Sequence, residues 1–179
     1  MKTLALDPAT HCGWAHSCGP SGTWDLSTRR DESGGMKLIR LRAKLNEIAT
    51  AEPGLGLVVF EAARHAAPKM QGALVHQARL QGVIELWCID AGIEYRAYSP
   101  SEIKKHATGK GNAGKPAVLA AARAKWPDRR IEDDNEADAL WLLDLALAEY
   151  GARLTITALE DQGTATEGNC LFTTEGSTT

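Results

Sequence analysis

Leu4-Ala5-Leu6 is a short apolar run that stops at Asp7, and Leu57-Val58-Val59-Phe60 is a second that stops at Glu61. Runs of this length, bounded by turn-forming residues, predict buried strands over Lys2–Asp7 and Leu55–Glu61. Two shorter strands, Cys12–Ser17 and Gly22–Leu26, are expected behind the Thr-His-Cys-Gly and Gly-Pro-Ser-Gly turns. Gly34-Gly35 breaks the chain. Met36, Ile39, Leu41, Leu45 and Ile48 then give an apolar helical stripe that Pro53-Gly54 ends. A second helix is predicted over Gln71–Ala91 and a fifth strand over Ile93–Tyr98. Ser99-Pro100-Ser101-Glu102 begins a short helix, with proline near its first turn and an acid early. A glycine-bearing loop from Thr108 to Gly114 leads into a helix over Lys115–Lys125, stopped by Trp126-Pro127. The last helix opens at Asp133/Asp134 and is expected to end near Tyr150. Three strands, a helix, a strand, a helix, a strand and further helices make a mixed α/β sheet with helices on both faces.

From about residue 160 the chain turns to Thr, Gly and acids without periodicity, so one domain is expected over 1–152 and a flexible or disordered tail over 153–179. At 179 residues, 44% hydrophobic and 24% charged, the composition is that of an ordinary globular domain. No apolar stretch approaches the roughly 20 residues that span a bilayer. The N-terminus enters a strand with no signal-peptide core, so a cytoplasmic location is the expectation. Cys12, Cys18, Cys88 and Cys170 form no CxxC pair, which favours reduced structural thiols over a zinc site.

The polar positions carry the chemistry. Asp7 and Glu61 end buried strands, and Asp134 and Asp138 stand one helical turn apart on a shared face. Singly, Asp7 reads as a strand-end cap and Asp134 as a helix N-cap. Together they make a set of acids that repel one another unless a cation sits among them, and oxygen donors suit Mg2+ or Mn2+. The net charge of −3 does not suggest a nucleic-acid binder, yet its distribution does. From Arg96 to Arg130 nine Lys/Arg face two acids, a basic zone beside the acidic set. Gly109-Lys110-Gly111-Asn112-Ala113-Gly114-Lys115-Pro116 lacks the phosphate-loop spacing.

Four segments in order resemble the RuvC family of Holliday-junction resolvases, with its ribonuclease H-like fold. They are Leu4-Ala5-Leu6-Asp7-Pro8 through Gly13, Val58-Val59-Phe60-Glu61, Ile103-Lys104-Lys105 through Val118, and Asp134-Asn135-Glu136-Ala137-Asp138-Ala139-Leu140. The resemblance covers residues 1 to about 150 and is nearer to phage-type members. It departs at Ala9, where the family has glycine, at Asn135, where it has the helix's first Asp, and at Arg64, where it has an aromatic.

The resemblance implies a metal-dependent endonuclease that hydrolyses phosphodiesters at four-way junctions in DNA recombination and repair, with two ions about 3.5–4 Å apart. Asp7 would bridge them, Glu61 would hold one, and Asp134 and Asp138 the other, with the Asn135 amide oxygen as an alternative ligand. Lys115 would neutralise the scissile phosphate or assist the leaving group. Lys104, Lys105 and Lys110 would hold flanking phosphates, and Arg64, His65 and Lys69 would reach the branch point. A homodimer through Leu74, Leu80, Ile84 and Trp87 of the 71–91 helix suits a substrate with two symmetric scissile strands. A nuclease of the same fold for other branched DNA or RNA–DNA hybrids, or a silent DNA-binding module, stays open. A two-lobed ATPase of related fold does not fit 179 residues.

Overall fold

A computed structural model of the chain describes residues 1–63 and 71–164, with backbone alone for residues 71, 73 and 152–164. Its elements are β1 (Lys2–Asp7), β2 (His11–His16), β3 (Ser21–Asp25), α1 (Met36–Ala51), β4 (Leu55–Glu61) and α2 (Gln71–Ala91). They continue with β5 (Glu94–Tyr98), α3 (Pro100–Thr108), α4 (Lys115–Lys125) and α5 (Asp134–Thr164). The strands form one mixed sheet in the order β3-β2-β1-β4-β5, antiparallel across β1–β2 and β2–β3 and parallel across β1–β4 and β4–β5. That is the expected ribonuclease H-like arrangement.

Strand alternation assigns the two faces. Leu4 and Leu6 of β1, Cys12 of β2, and Val58 and Phe60 of β4 pack with Leu41, Leu45, Leu80, Ile84 and Trp87 of α1 and α2 in one buried cluster. Because successive side chains point to opposite faces, Ala5, Asp7, Gly13, Val59 and Glu61 turn to the other side. There α5 begins, close enough that the Asn135 backbone abuts Gly13. The register pairs Leu6 with Phe60, so Asp7 and Glu61 end adjacent parallel strands side by side. In open α/β sheets, ligand crevices form beyond such carboxyl ends.

Local rules account for the helix boundaries. Ser99 caps α3 in a capping box with Glu102, Pro100 follows, and Gly109 closes the helix at φ 75°. In α5 the cap is Asp133, whose Oδ1 accepts from the Glu136 amide at 2.8 Å and from Thr23 Oγ1 at 2.8 Å.

The structure corrects three expectations. Ile39 is exposed and Leu38 packs inward instead, because only positions 38, 41, 45 and 48 hold the inner face of α1. Leu80, Ile84 and Trp87, expected at a dimer interface, lie in the core; the apolar residues that α2 exposes are Val75, Leu86 and Ile89. The last helix runs to Thr164 rather than ending near Tyr150. A glycine inside a helix costs about 1 kcal/mol and does not by itself stop it.

The chain divides into two compact units, Met1–Ala146 and Leu147–Thr179. The first holds the sheet and everything discussed below, and the second holds the distal part of α5. No described helix is long and apolar enough to cross a membrane. Among the described cysteines, Cys12 and Cys88 are buried and Cys18 is exposed, all as free thiols.

Candidate active site

A cleft of about 800 Å3 opens at the carboxyl ends of β1 and β4, and Asp7, Glu61, Asn135 and Asp138 line it together with Lys104 and Lys115. Each acid comes from a different element: β1, β4 and α5. Asn135 and Asp138 reach the cleft because α5 starts against Gly13, whose missing side chain leaves room for the helix backbone.

The electrostatics show how closely these groups are set. Burial, then Glu61 and Asp138, hold the Asp7 carboxyl well above the usual carboxylate range. Burial and the neighbouring Asp138 push Glu61 up to about 7, against the opposing charge of Lys104. Burial raises Asp138 to about 6, with Lys115 opposing. Desolvation and like charge thus act in one direction on all three. Two lysines only partly offset this excess of negative charge.

Asp134 takes a different place. It lies beside the cleft in an ion pair with Lys115, which holds its carboxyl below the ordinary value. The same pair raises Lys115. Since Asp133 performs the capping, the Asp134 carboxylate is free for this lysine. Lys105 and Lys110 are exposed and do not line the cleft. Arg64, His65 and Lys69 lie outside the described residues.

Two residues of α2 escaped the sequence reading. Gln77 hydrogen-bonds to the Glu61 side chain, and Gln81 Nε2 donates to the Glu61 carbonyl at 2.6 Å. They are one turn apart, so a single helix face holds both the side chain and the carbonyl of Glu61. The i, i+4 glutamine pair was the available signal, hidden among apolar neighbours. His11, Thr10 and His76 also line the cleft.

A different donor cluster stands at the far end of β1. A nitrogen of His16, Cys18 Sγ and a Glu52 oxygen lie within 4.8 Å of one another. The Lys2 ammonium meets Glu52 at 3.0 Å, and the Cys18 amide donates to His16 Nδ1 at 3.1 Å. Burial keeps that imidazole below its ordinary pKa. The ion pair ties the start of β1 to the end of α1, and the hydrogen bond closes the turn after β2.

No protein-family model matches the chain. The crossover junction endodeoxyribonuclease RuvC of Brachyspira hyodysenteriae is 26% identical over 147 residues, 78% of this chain and 89% of that protein. A structure of Thermus thermophilus RuvC in complex with Holliday junction substrate superposes with a TM-score of 0.64 at 20% identity, covering 84% of this chain and 94% of that one. The chain is similar to RuvC in sequence and in fold. A second Thermus thermophilus RuvC structure gives a TM-score of 0.63 at 21% identity over 84% of this chain and 95% of that one.

The carboxylates that line the cleft set a pH dependence. In Asp7, Glu61 and Asp138 the folded pKa lies above the unfolded one, so the native state holds these protons more tightly. Their contribution to stability is complete below the unfolded carboxylate values near 4 and is lost as pH rises through the folded values. In EDTA, the Tm is therefore expected to fall between about pH 5 and pH 7.5. A Tm that rises over that window in a thermal melt would contradict the close packing of the three acids.

Proposed function

We propose that this chain is a divalent-metal-dependent endonuclease that hydrolyses phosphodiesters at four-way DNA junctions. The observation that carries it is the convergence of Asp7, Glu61 and Asp138 on one cleft also lined by Lys104 and Lys115. An all-oxygen donor set with raised carboxyl pKa values suits hard cations such as Mg2+ or Mn2+. Asp7 stands close enough to both of the others to feel their charge and would bridge a pair of ions. Glu61 would hold one of them, and Asp138, with Asp134 or Asn135, the other. Such ions, when bound, supply Lewis-acid charge and a water ionised near neutral pH.

The remaining work falls to side chains. Gln77 and Gln81 fix Glu61 at the strand end. Lys104 places a positive charge on the cleft wall for a phosphate oxygen. Lys115 exchanges its Asp134 partner for the scissile phosphate, where its charge offsets the negative charge that builds during in-line attack. Lys105 and Lys110, outside the cleft, would contact flanking phosphates. The basic side chains thus position DNA, while the acids carry the chemistry.

A four-way junction presents two symmetric scissile strands, so one active site per protomer of a two-fold dimer matches it. Leu86 and Ile89 of α2, 60% and 64% exposed, stand one turn apart, and Leu86 lines a groove with Ile39 of α1, an apolar surface suited to a second copy. Leu86→Arg is expected to convert a dimer to a monomer in sedimentation velocity while the thermal melt stays unchanged. A variant that still sediments as a dimer would remove this face from consideration.

The deciding experiment is cleavage of labelled four-way junction, Y-fork, flap, linear duplex and RNA–DNA hybrid in Mg2+ or Mn2+. Paired symmetric nicks in the junction are expected. Equal cutting of all branched substrates would mean a general structure-selective nuclease, and preference for the hybrid a ribonuclease H. Junction binding without any cutting would defeat the proposal.

A further inference from the structure

The loop between α4 and α5 forms a second concavity, of about 650 Å3, lined by Arg123, Pro127, Arg129, Arg130, Ile131 and Glu132. Three guanidinium groups face it against one carboxylate. Two of them are held by the fold. Arg123 Nη2 donates to the Ile131 carbonyl at 3.2 Å, and Arg129 Nη1 donates to Ser21 Oγ at 2.7 Å. Ser21 in turn donates to Glu136 at 2.6 Å, which ties the loop to β3 and to the first turn of α5. A guanidinium carries five N–H donors, so one anchoring bond orients it without exhausting it. Arg130 is different: its side chain is 91% exposed, and its Nε stands 3.9 Å from Glu132, too far for a hydrogen bond.

We propose that this pocket binds adjacent backbone phosphates of a DNA arm whose scissile strand occupies the cleft, an inference that rests on the nuclease reading above. Three observations favour this. The guanidinium fork matches phosphate oxygens in pairs, which a lysine cannot do. Two of the three are oriented before a ligand arrives, so little side-chain freedom is lost on binding. The placement also fits. Lys115 opens α4 at the cleft and Arg123 lies near its other end, and the helix has 11 residues. From Lys115 to Arg123 is eight residues, which at 1.5 Å per residue is about 12 Å, or about three to four base-pair steps of duplex at 3.4 Å each. A duplex arm leaving the cleft along α4 would therefore bring its backbone to the arginines. The pocket would add affinity and orientation without reading sequence.

The test is the salt dependence of binding, followed by fluorescence anisotropy with a labelled four-way junction and a linear duplex, in Ca2+ in place of Mg2+. Arg130→Gln should weaken binding to both DNAs and reduce the slope of log K against log salt by about 1. Arg123→Gln combined with Arg130→Gln should reduce it by about 2, since each phosphate contact contributes about 0.9. Turnover at saturating junction should match the parent for Arg130→Gln, because the residue touches no reacting group. Parent-like slopes in both variants, with junction binding and cleavage intact, would overturn the pocket and leave the nuclease reading standing. A parent protein that binds no DNA at all would take both down.

Discussion

Asp7→Asn is expected to bind a four-way junction as tightly as the parent and to cut it roughly a thousandfold more slowly, the loss of several kcal/mol of ion-borne charge stabilisation. The argument rests on where Asp7 sits. It ends the central parallel strand, next to Glu61 and opposite Gly13, and both Glu61 and Asp138 raise its pKa. The effect of burial on it is the first of these causes, so its charge is the one most in need of a cation. The amide keeps the shape of the side chain but cannot bridge two cations. Removing a buried charge that its neighbours oppose should also leave the metal-free protein as stable at pH 7.5 as the parent, or more so. Denaturant titration in EDTA and single-turnover cleavage in Mn2+ measure the two effects. Parent-like cutting would remove Asp7 from the chemistry, and a large drop in stability would make it a structural cap.

Gly13→Ala should have the second largest effect, and it acts through the backbone. A Cβ at Gly13 would fall on the Asn135 carbonyl group, with the Asn135 Cα only 3.2 Å away. Neither partner is a flexible side chain that can turn aside. Either β2 retreats from β1 or the start of α5 lifts from the sheet. Overpacking in a dense interior costs about 1–3 kcal/mol, and a clash between two backbones belongs at the upper end. For a chain of this size that corresponds to a fall in Tm of roughly 6–12 °C. The functional loss should exceed the structural one. Lifting α5 moves Asn135 and Asp138 together, and a displacement of about 1 Å can cost a hundredfold in rate. Gly34→Ala is the control, because nothing lies within 4 Å of a Cβ there and its φ is not positive. Equal melting temperatures and rates for the two variants would show that the α5–β2 approach is not needed.

The two acids that end strands are legible because strand termination is local. Apolar runs, turn residues and alternation locate β1, β4, α2 and α4 at their observed bounds. Periodicity likewise places Asp134 and Asp138 one turn apart. The role of each residue inside the cluster is not legible in this way. Asp133 rather than Asp134 caps α5 because Thr23, 110 positions earlier, donates to it. The inner face of α2 falls on Leu80, Ile84 and Trp87 because α1 and the sheet lie on that side; a helix apolar on two faces does not say which face is buried.

Sequence alone determined the order of elements, the strand ends that carry Asp7 and Glu61, and the oxygen-rich chemistry they support. Those follow from hydrophobic spacing and from the cost of burying unpartnered charge, both of which act over a few residues. Tertiary structure alone decided that the acids share one cleft, that Lys115 pairs with Asp134, that Gln77 and Gln81 hold Glu61, and that three arginines meet in a second pocket. The shared cleft depends on sheet register and on the close approach of α5 to Gly13, which bring Asp138 to Asp7 from more than a hundred positions away. No local pattern encodes that distance.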